Sequence, residues 1–154
     1  MAAVKQILCD VGEQVYGIDL VHVRGIEKYM NIIPVPNAPG CIEGIINLRG
    51  DVIPVFNIHD KFKQPKTAVT ENTKLIIVKS QDMLIAFMVD GVSEIVEIDD
   101  SEFRPVPKIV ECESTSYIES IIQVKDRLVV VLNVNGILTE IEQEKLQNLI
   151  EEHQ

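Results

Sequence analysis

The sequence predicts a mainly β protein made of two similar subdomains and followed by a C-terminal α-helix. Three features support this prediction: short apolar segments separated by turn-forming residues, a hairpin sequence that occurs twice, and one amphipathic helical pattern near the C-terminus. The chain has 154 residues, of which 46% are hydrophobic, so it can bury a substantial core. We expect one domain over residues 1–154.

The apolar segments are typical of strands because they are short, rich in β-branched residues and bounded by turn formers. In chain order they are Val4–Val11, Val15–Ile18, the hairpin Ile42–Ile58, Thr73–Lys79, Met83–Val89, Val92–Ile98, and the hairpin formed by Tyr117–Val124 and Arg127–Val134. Asp19 is placed to cap a short helical turn over Leu20–Val23. The prolines of Ile32–Gly40 and Phe103–Pro107, and the polar composition of Lys63–Asn72, predict extended connections. Short strands at such close intervals favour small barrels or a sandwich.

The hairpin Ile42–Ile58 has an Arg-Gly pair between two of the most apolar stretches of the chain. Gly50 can adopt the positive φ of a tight turn without steric cost, and Asp51 is a common turn residue. We therefore expect Gly50 and Asp51 to make the turn, so that nothing local requires Arg49. This leaves Arg49 to be explained by another role.

The same hairpin sequence occurs twice without a gap. IEGIINLRGDVIPVFNI at Ile42–Ile58 aligns with IESIIQVKDRLVVVLNV at Ile118–Val134, an offset of 76 residues. Upstream, VYGIDLVHV at Val15–Val23 resembles LIAFMVDGV at Leu84–Val92, and each copy leads to a proline-rich loop. Short alternating strands recur by chance in β proteins. The matching order of strand, loop and hairpin nevertheless favours duplication.

Duplication predicts two intertwined subdomains, at roughly residues 15–72 and 73–138. Each is near the lower size limit for an independent core, so we expect packing between the two to stabilise both. The repeated isoleucines should then be inaccessible to solvent; these are Ile45, Ile46, Ile121 and Ile122.

The end of the chain is the one convincingly helical segment. Thr139 and Glu142 have the spacing of a capping box. Four apolar residues can share one face of the following helix; these are Ile141, Leu146, Leu149 and Ile150. We therefore predict a structural helix over residues 139–153 that covers one end of the β structure.

The sequence contains no recognisable catalytic, metal or cofactor site. His22, His59 and His153 do not occur in a ligand cluster with known mechanics, and no phosphate-binding or hydrolase motif is present. The three cysteines are scattered, which suits reduced thiols used as small hydrophobic residues. We therefore expect a protein that is not an enzyme and works by contact with other proteins.

Charge and hydropathy exclude further classes of partner. The net charge is −10, with 24 acidic against 14 basic residues, which argues against binding to nucleic acid or to anionic membrane surfaces. No apolar run approaches the length of a bilayer span, and no secretion signal is visible. We therefore expect a cytoplasmic protein without direct membrane insertion.

Four segments together resemble the CheW family, the coupling proteins of bacterial chemotaxis. They are VYGIDLVHV at Val15–Val23, PNAPGCIEGIINLRG at Pro36–Gly50, VDGVSEI at Val89–Ile95 and FRPVP at Phe103–Pro107; the most specific is the run GIINLRGDVIPV. The resemblance implies two five-stranded SH3-like barrels packed around a shared hydrophobic centre, no enzymatic activity and no cofactor. It implies an adaptor that joins the cytoplasmic tip of chemoreceptors to the regulatory domain of the kinase CheA, recruited to membrane-associated receptor arrays. Since no kinase or receiver segment flanks the domain here, we expect a free-standing coupling protein.

The resemblance also implies a receptor-binding surface in the groove between the two barrels. Arg49 matches the arginine of this family at or near the receptor contact, and Val23 and Gly44 match further positions implicated there. Many relatives carry glutamate where this chain has Gly25, and we expect Glu27, two residues along the same strand face, to substitute for it.

Two alternatives remain open on the sequence alone. Arg49 can form an internal salt bridge that holds its hairpin to the rest of the fold, a role compatible with recognition. The whole protein can instead be a small-ligand sensor that uses the groove between the barrels, although few polar groups are available there to orient a ligand.

Overall fold

The computed structural model describes residues 3–36, 42–57, 68–80, 83–105 and 118–137. These residues form ten strands, two short 3-10 turns and one four-residue helix, α1 at Val134–Ile137. The strands are β1 Ala3–Val11, β2 Gln14–Asp19, β3 Val23–Lys28, β4 Ile42–Leu48, β5 Asp51–Asn57, β6 Lys74–Ser80, β7 Met83–Val89, β8 Gly91–Asp99, β9 Ile118–Val124 and β10 Arg127–Leu132. The protein is mainly β, as the sequence predicts.

The ten strands form two five-stranded sheets. Sheet I has the order β8-β1-β2-β10-β9, and sheet II has the order β3-β6-β7-β5-β4. Neighbouring strands are antiparallel except for β2 with β10 and β5 with β7, which are parallel. Each sheet takes strands from both of the segments 15–72 and 73–138, because β3 leaves β2 to join sheet II and β8 leaves β7 to join sheet I.

The repeated hairpins occupy equivalent places in the two sheets, which confirms the prediction from the 76-residue offset. In both hairpins the first strand is at the sheet edge and the second pairs in parallel with the next strand. A β-bulge occurs at Glu43 in one copy and at Glu119 in the other, where the register of the ladder shifts. A local kink of this kind at the same position in both hairpins is the behaviour of a duplicated unit.

The core consists of three hydrophobic clusters. One lies between the sheets and includes Ile7 and Ile18 of sheet I together with Phe56 and Phe87 of sheet II, whose rings pack edge to face at 5.8 Å. A second cluster lies within sheet I and a third within sheet II. The second and third clusters each include residues from edge and central strands of a single sheet. Each sheet must therefore curve around its own interior cluster.

Three sequence-based expectations differ from the structure or fall outside it. Ile45, Ile46 and Ile122 are buried as predicted, but Ile121 is only half-buried and belongs to none of the three clusters. Apolar periodicity does not predict strand β3, because its less exposed positions are Val23, Gly25 and Glu27 and include no large apolar residue. The predicted helix over residues 139–153 lies outside the described residues. Among the described residues, no helix has the length and apolar character needed to cross a membrane.

Candidate functional site

The turn between β4 and β5 consists of Arg49 and Gly50, so the expectation that Gly50 and Asp51 make it is wrong. Leu48 pairs with Asp51, which leaves a two-residue loop. Arg49 has a φ of 53° and Gly50 a φ of 92°. Two consecutive positive φ angles are the requirement of a type I′ hairpin turn, whose twist matches that of the strands. The side chain of Asn47 supports the turn by accepting a hydrogen bond from the Gly50 amide at 3.0 Å.

Arg49 and Glu27 are brought together by this turn. Arg49 Nη2 lies 3.3 Å from Glu27 Oε1, although β3 and β4 are opposite edges of sheet II. The Arg49 side chain is 78% exposed and the Glu27 side chain 24% exposed. A pair this exposed contributes about 0.2–1 kcal/mol at most to the free energy of unfolding. The internal salt bridge considered above is therefore present, but it leaves most of the guanidinium facing solvent.

The Glu27 carboxylate lies next to position 25. A Cβ atom built on Gly25 would lie 3.8 Å from Glu27 Oε1. Gly25 and Glu27 occupy the same, more buried face of β3. The two-residue displacement inferred from the sequence is therefore compatible with the backbone, since alternate strand residues share a face.

The second hairpin carries the same arrangement with different residues. Lys125 has a φ of 56° at the position equivalent to Arg49, and its Nζ lies 3.9 Å from Glu94 Oε1. The register between β8 and β1 shifts just before Glu94, and the register between β3 and β6 shifts just before Gly25. Glu94 is therefore the counterpart of Gly25. Among the described residues, Arg49 and Lys125 are the two non-glycine residues with positive φ.

Val23 lies on the other side of β3 from the Arg49–Glu27 pair. The ladder between β3 and β6 shifts between Val23 and Gly25, which places a bulge at Arg24. Val23 packs against the cluster between the sheets, whereas Glu27 pairs in register with Leu75, whose side chain belongs to the cluster inside sheet II. The structure therefore groups Arg49 with Glu27 and places Val23 at the seam between the sheets.

Gly44 is buried beneath the loop that follows β3. Ile33 and Ile45 exchange two backbone hydrogen bonds of 2.9 Å, which hold this loop against the outer edge of β4. A Cβ atom on Gly44 would overlap the Ile33 carbonyl oxygen and would lie 2.8 Å from the Ile33 carbonyl carbon. With a φ of 156°, Gly44 occupies a conformation that L side chains rarely adopt. The loop at Ile33 can therefore lie this close to β4 only because Gly44 has no side chain.

The described residues were compared with the requirements of a metal site and of a reactive thiol. No group of three or more His, Cys, Asp or Glu side chains among them is arranged to hold a metal ion. Burial raises the pKa of Cys9 to about 12, and the negative charge of Asp10 adds to this effect. A thiol that stays protonated is a poor nucleophile and metal ligand. The space between the sheets is filled by a hydrophobic cluster, which does not favour the alternative of a ligand pocket in that seam.

Sequence reasoning missed the supporting role of Asn47 and the pair formed by Lys125 and Glu94. For the second pair a signal was available, since Lys125 aligns with Arg49 in the repeat and Glu94 aligns with Gly25 when the offset between Val15 and Leu84 is continued. For Asn47, the preference of Asn for local side-chain to backbone hydrogen bonds near turns was the relevant signal.

Comparison with known proteins relates this geometry to one family. The sequence model of the CheW-like domain matches residues 5–142. The chain belongs to the CheW-like domain family. This confirms the resemblance seen in the GIINLRG run, and it accounts for the two hairpin-bearing sheets as features of a CheW-like domain.

Individual CheW relatives match over nearly the whole chain. The chemotaxis protein CheW of Bacillus subtilis is 30% identical over 134 residues, which cover 87% of this chain and 86% of the relative. The chemotaxis protein CheW of Klebsiella aerogenes is 26% identical over 147 residues, which cover 96% of this chain and 89% of the relative. The crystal structure of the scaffolding protein TtCheW from Thermoanaerobacter tengcongensis matches with a TM-score of 0.84 and 27% identity over 92% of both chains.

Proposed function

We propose that this chain is a non-catalytic adaptor of chemotaxis signalling that couples chemoreceptors to the histidine kinase CheA. Membership of the CheW-like family supports this function, as do relatives named as chemotaxis proteins and a structural neighbour named as a scaffolding protein. The adaptor binds the cytoplasmic tip of the receptor and the regulatory domain of CheA. It acts in the cytoplasm at membrane-associated receptor arrays.

The observation that carries the proposal is the exposed guanidinium of Arg49 at its turn, where the second hairpin has the ammonium of Lys125. A non-glycine residue with positive φ costs of order 1–3 kcal/mol, and Gly or Asn would satisfy this turn more cheaply. The weak pair with Glu27 does not offset that cost at 78% exposure. An arginine held in this conformation with most of its donors in solvent is suited to bind carboxylates or carbonyl groups of a partner.

The receptor contact in this proposal is made by Arg49, with Glu27 orienting the guanidinium and Val23 contributing apolar surface at the seam. Gly44 supports the contact by letting the loop at Ile33 lie close to β4. The CheA contact lies elsewhere on the molecule. In the same proposal the two curved sheets are the SH3-like barrels of the family, and the segment 139–153 forms a structural helix against them.

Separate titrations with a receptor tip fragment and with the CheA regulatory domain test this function. Arg49→Ala should weaken receptor binding by about 1–3 kcal/mol, because charge-assisted hydrogen bonds at the contact are lost. Arg49→Lys should restore part of the loss, since an ammonium cannot reproduce the planar fork of the guanidinium. CheA binding should be nearly unchanged in both variants.

Lys125→Ala is the matched control, because Lys125 has the same turn conformation and a side chain 80% exposed in the other hairpin. It should have little effect on receptor binding. An equal loss toward both partners, or equal losses from Arg49→Ala and Lys125→Ala, would show that these cations only support their hairpins. Absence of any binding to receptor and CheA by the unaltered chain would overturn the adaptor function itself.

A further inference from the structure

The side chain of Asn47 binds the peptide group at the centre of the turn between β4 and β5. Asn47 Oδ1 accepts a hydrogen bond of 3.0 Å from the Gly50 amide. That amide belongs to the peptide that joins Arg49 to Gly50, and the orientation of this peptide depends on the ψ of Arg49 and the φ of Gly50. The bond from Asn47 therefore constrains both residues of the turn.

Few other contacts constrain the second turn residue. A Cβ atom built on Gly50 would meet nothing within 4 Å, and glycine adopts positive and negative φ about equally readily. The strand ladder holds the two ends of the turn, Leu48 and Asp51, and leaves its central peptide to local contacts. Arg49 has a φ of 53°, which is unfavourable for a non-glycine residue. Without the bond to Asn47, the freedom of Gly50 would let Arg49 move out of this conformation.

The second hairpin makes the same connection with other residues. Gln123 is in the place of Asn47 and Asp126 in the place of Gly50, since both hairpins have a two-residue loop. Both loop residues of the second hairpin are described, and of these two Lys125 has a positive φ and Asp126 does not. An asparagine and a second positive φ therefore occur together in the hairpin that carries the arginine.

The hairpin does not depend on Asn47 to stay folded. Asn47 is exposed, and its bond to Gly50 lies at the surface. β4 and β5 pair along their whole length, and β5 also pairs with β7. Substitutions at exposed positions of this kind change the free energy of unfolding little. The effect of the bond is therefore concentrated on the conformation of the turn.

We propose that Asn47 is a positioning residue for the partner contact of Arg49. This inference rests on the proposed function, in which Arg49 contacts the receptor. By fixing the central peptide of the turn, Asn47 holds Arg49 in the conformation that extends its guanidinium into solvent beside Glu27. The receptor then meets a turn that is already in place. If fewer molecules had this turn, the apparent Kd would rise in proportion.

NMR of the free chain is the first test, because it does not depend on a receptor. It measures hydrogen exchange of the Gly50 amide and the NOE between the amide proton and Hα of Arg49, which is strong at positive φ. Asn47→Ala should accelerate the exchange severalfold and weaken the NOE. Asn47→Asp should keep both signals, because a carboxylate oxygen accepts the same bond. An unchanged NOE in Asn47→Ala would overturn the proposal.

Titration with a receptor tip fragment is the second test. Asn47→Ala should raise the Kd by about threefold to tenfold, the effect of losing one hydrogen bond. Asn47→Asp should recover most of this loss. Gln123→Ala, the matched control in the second hairpin, should leave the Kd unchanged. In an Arg49→Ala background, Asn47→Ala should have no further effect, because a positioning residue acts only through the residue that it positions.

Two binding results would contradict the proposal. If Asn47→Ala weakened binding equally with and without Arg49, Asn47 would act independently of the arginine. If Asn47→Asp bound as weakly as Asn47→Ala, the Asn47 amide would donate directly to the receptor. Failure of the unaltered chain to bind the receptor tip would overturn the proposed function, and the NOE of Arg49 in the free chain would still decide whether Asn47 holds the turn.

Discussion

Substitution of Gly44 by alanine tests whether this glycine acts in folding or in recognition. A Cβ atom there would overlap the Ile33 carbonyl oxygen, which is part of the backbone and cannot be avoided by a rotamer change. It would also lie 2.8 Å from Ile32 Cγ2. The loop must therefore move away from β4, or β4 must distort.

The magnitude follows from what the loop loses when it moves. The two 2.9 Å hydrogen bonds between Ile33 and Ile45 would be weakened, at about 0.5–1.5 kcal/mol each. Ile32, which packs against the interior cluster of sheet II, would lose part of its contact, worth about 1 kcal/mol. Together these terms predict that Gly44→Ala lowers the free energy of unfolding by about 2–4 kcal/mol.

Urea denaturation followed by circular dichroism measures this loss, and Gly25→Ala is the matched control. A Cβ atom on Gly25 meets only Glu27 Oε1, at an ordinary 3.8 Å. Gly25→Ala should therefore be neutral, or stabilising by up to about 1 kcal/mol through reduced entropy of the unfolded chain. Both glycines lie in sheet II, so the pair separates steric conflict from a general effect of adding a methyl group.

Equal stability of the two variants would refute this steric reasoning. Stability and receptor binding together distinguish the two roles. If Gly44→Ala kept its full free energy of unfolding but lost receptor binding, Gly44 would be a direct contact residue. If stability and binding fall together, with the binding loss recovered at low temperature where the variant is folded, the role of Gly44 is to hold the loop.

Three further predictions concern the core, the C-terminus and the buried thiol. Ile122 is fully buried, so Ile122→Asp should lower the free energy of unfolding by more than about 4 kcal/mol and give a chain without a cooperative thermal transition. A chain ending at Asn135 should lose stability, because the predicted helix over residues 139–153 covers apolar surface; an unchanged melting temperature would instead indicate that the helix serves a partner. Between pH 9.0 and about 12 the Cys9 thiol ionises in the unfolded chain but not in the folded one. The stability that this burial contributes is complete below pH 9.0 and is lost as the pH rises toward 12, at about 1.4 kcal/mol per pH unit. Cys9→Ala should show a shallower decline of stability above pH 9.0 in urea denaturation, and an identical slope would argue against a buried thiol.

The mainly β class and the equivalence of the two hairpins could be predicted because both depend on local patterns. Alternating apolar residues, turn formers and a gap-free repeat are visible in one dimension. The strand β3 could not be found in this way. Its sequence, VRGIEK, has one large apolar residue at its centre, and Ile26 is exposed. Pairing with β6 makes it a strand, and that pairing is a long-range contact.

The sequence predicted two intertwined subdomains but not which strands they exchange. A division at residues 72 and 73 follows the repeat. In the structure, however, β3 joins the sheet of β6 and β7, and β8 joins the sheet of β1 and β2. The bulges at Arg24 and Ser93 accompany both crossings, since each lies where the register shifts. A bulge leaves no strong sequence signal, so which sheet a strand joins was decided by three-dimensional packing.

The sequence singled out Arg49 but did not predict its place in the turn. One glycine is enough for many tight turns, so the sequence indicated that Arg49 was not needed. A type I′ turn requires positive φ at both central residues, and Arg49 has to adopt it. The sequence showed that the arginine needed an explanation, and the structure shows that its conformation is itself unfavourable.

The two copies together separate what folding requires from what function has changed. Both hairpins have a positive φ at the first turn residue, a cation at that residue, and a bulge in the first strand, at Glu43 or Glu119. These shared features belong to the fold. The differences are a guanidinium at position 49 against an ammonium at 125, and an apolar Leu75 against Gln6. Since the backbone is equivalent at each pair of positions, the cause of each difference lies in what surrounds the side chain. Leu75 packs in the interior cluster of sheet II, so packing accounts for that difference. Arg49 and Lys125 are both exposed at their turns, and under the proposed function their difference is what the separate titrations with receptor tip and CheA test.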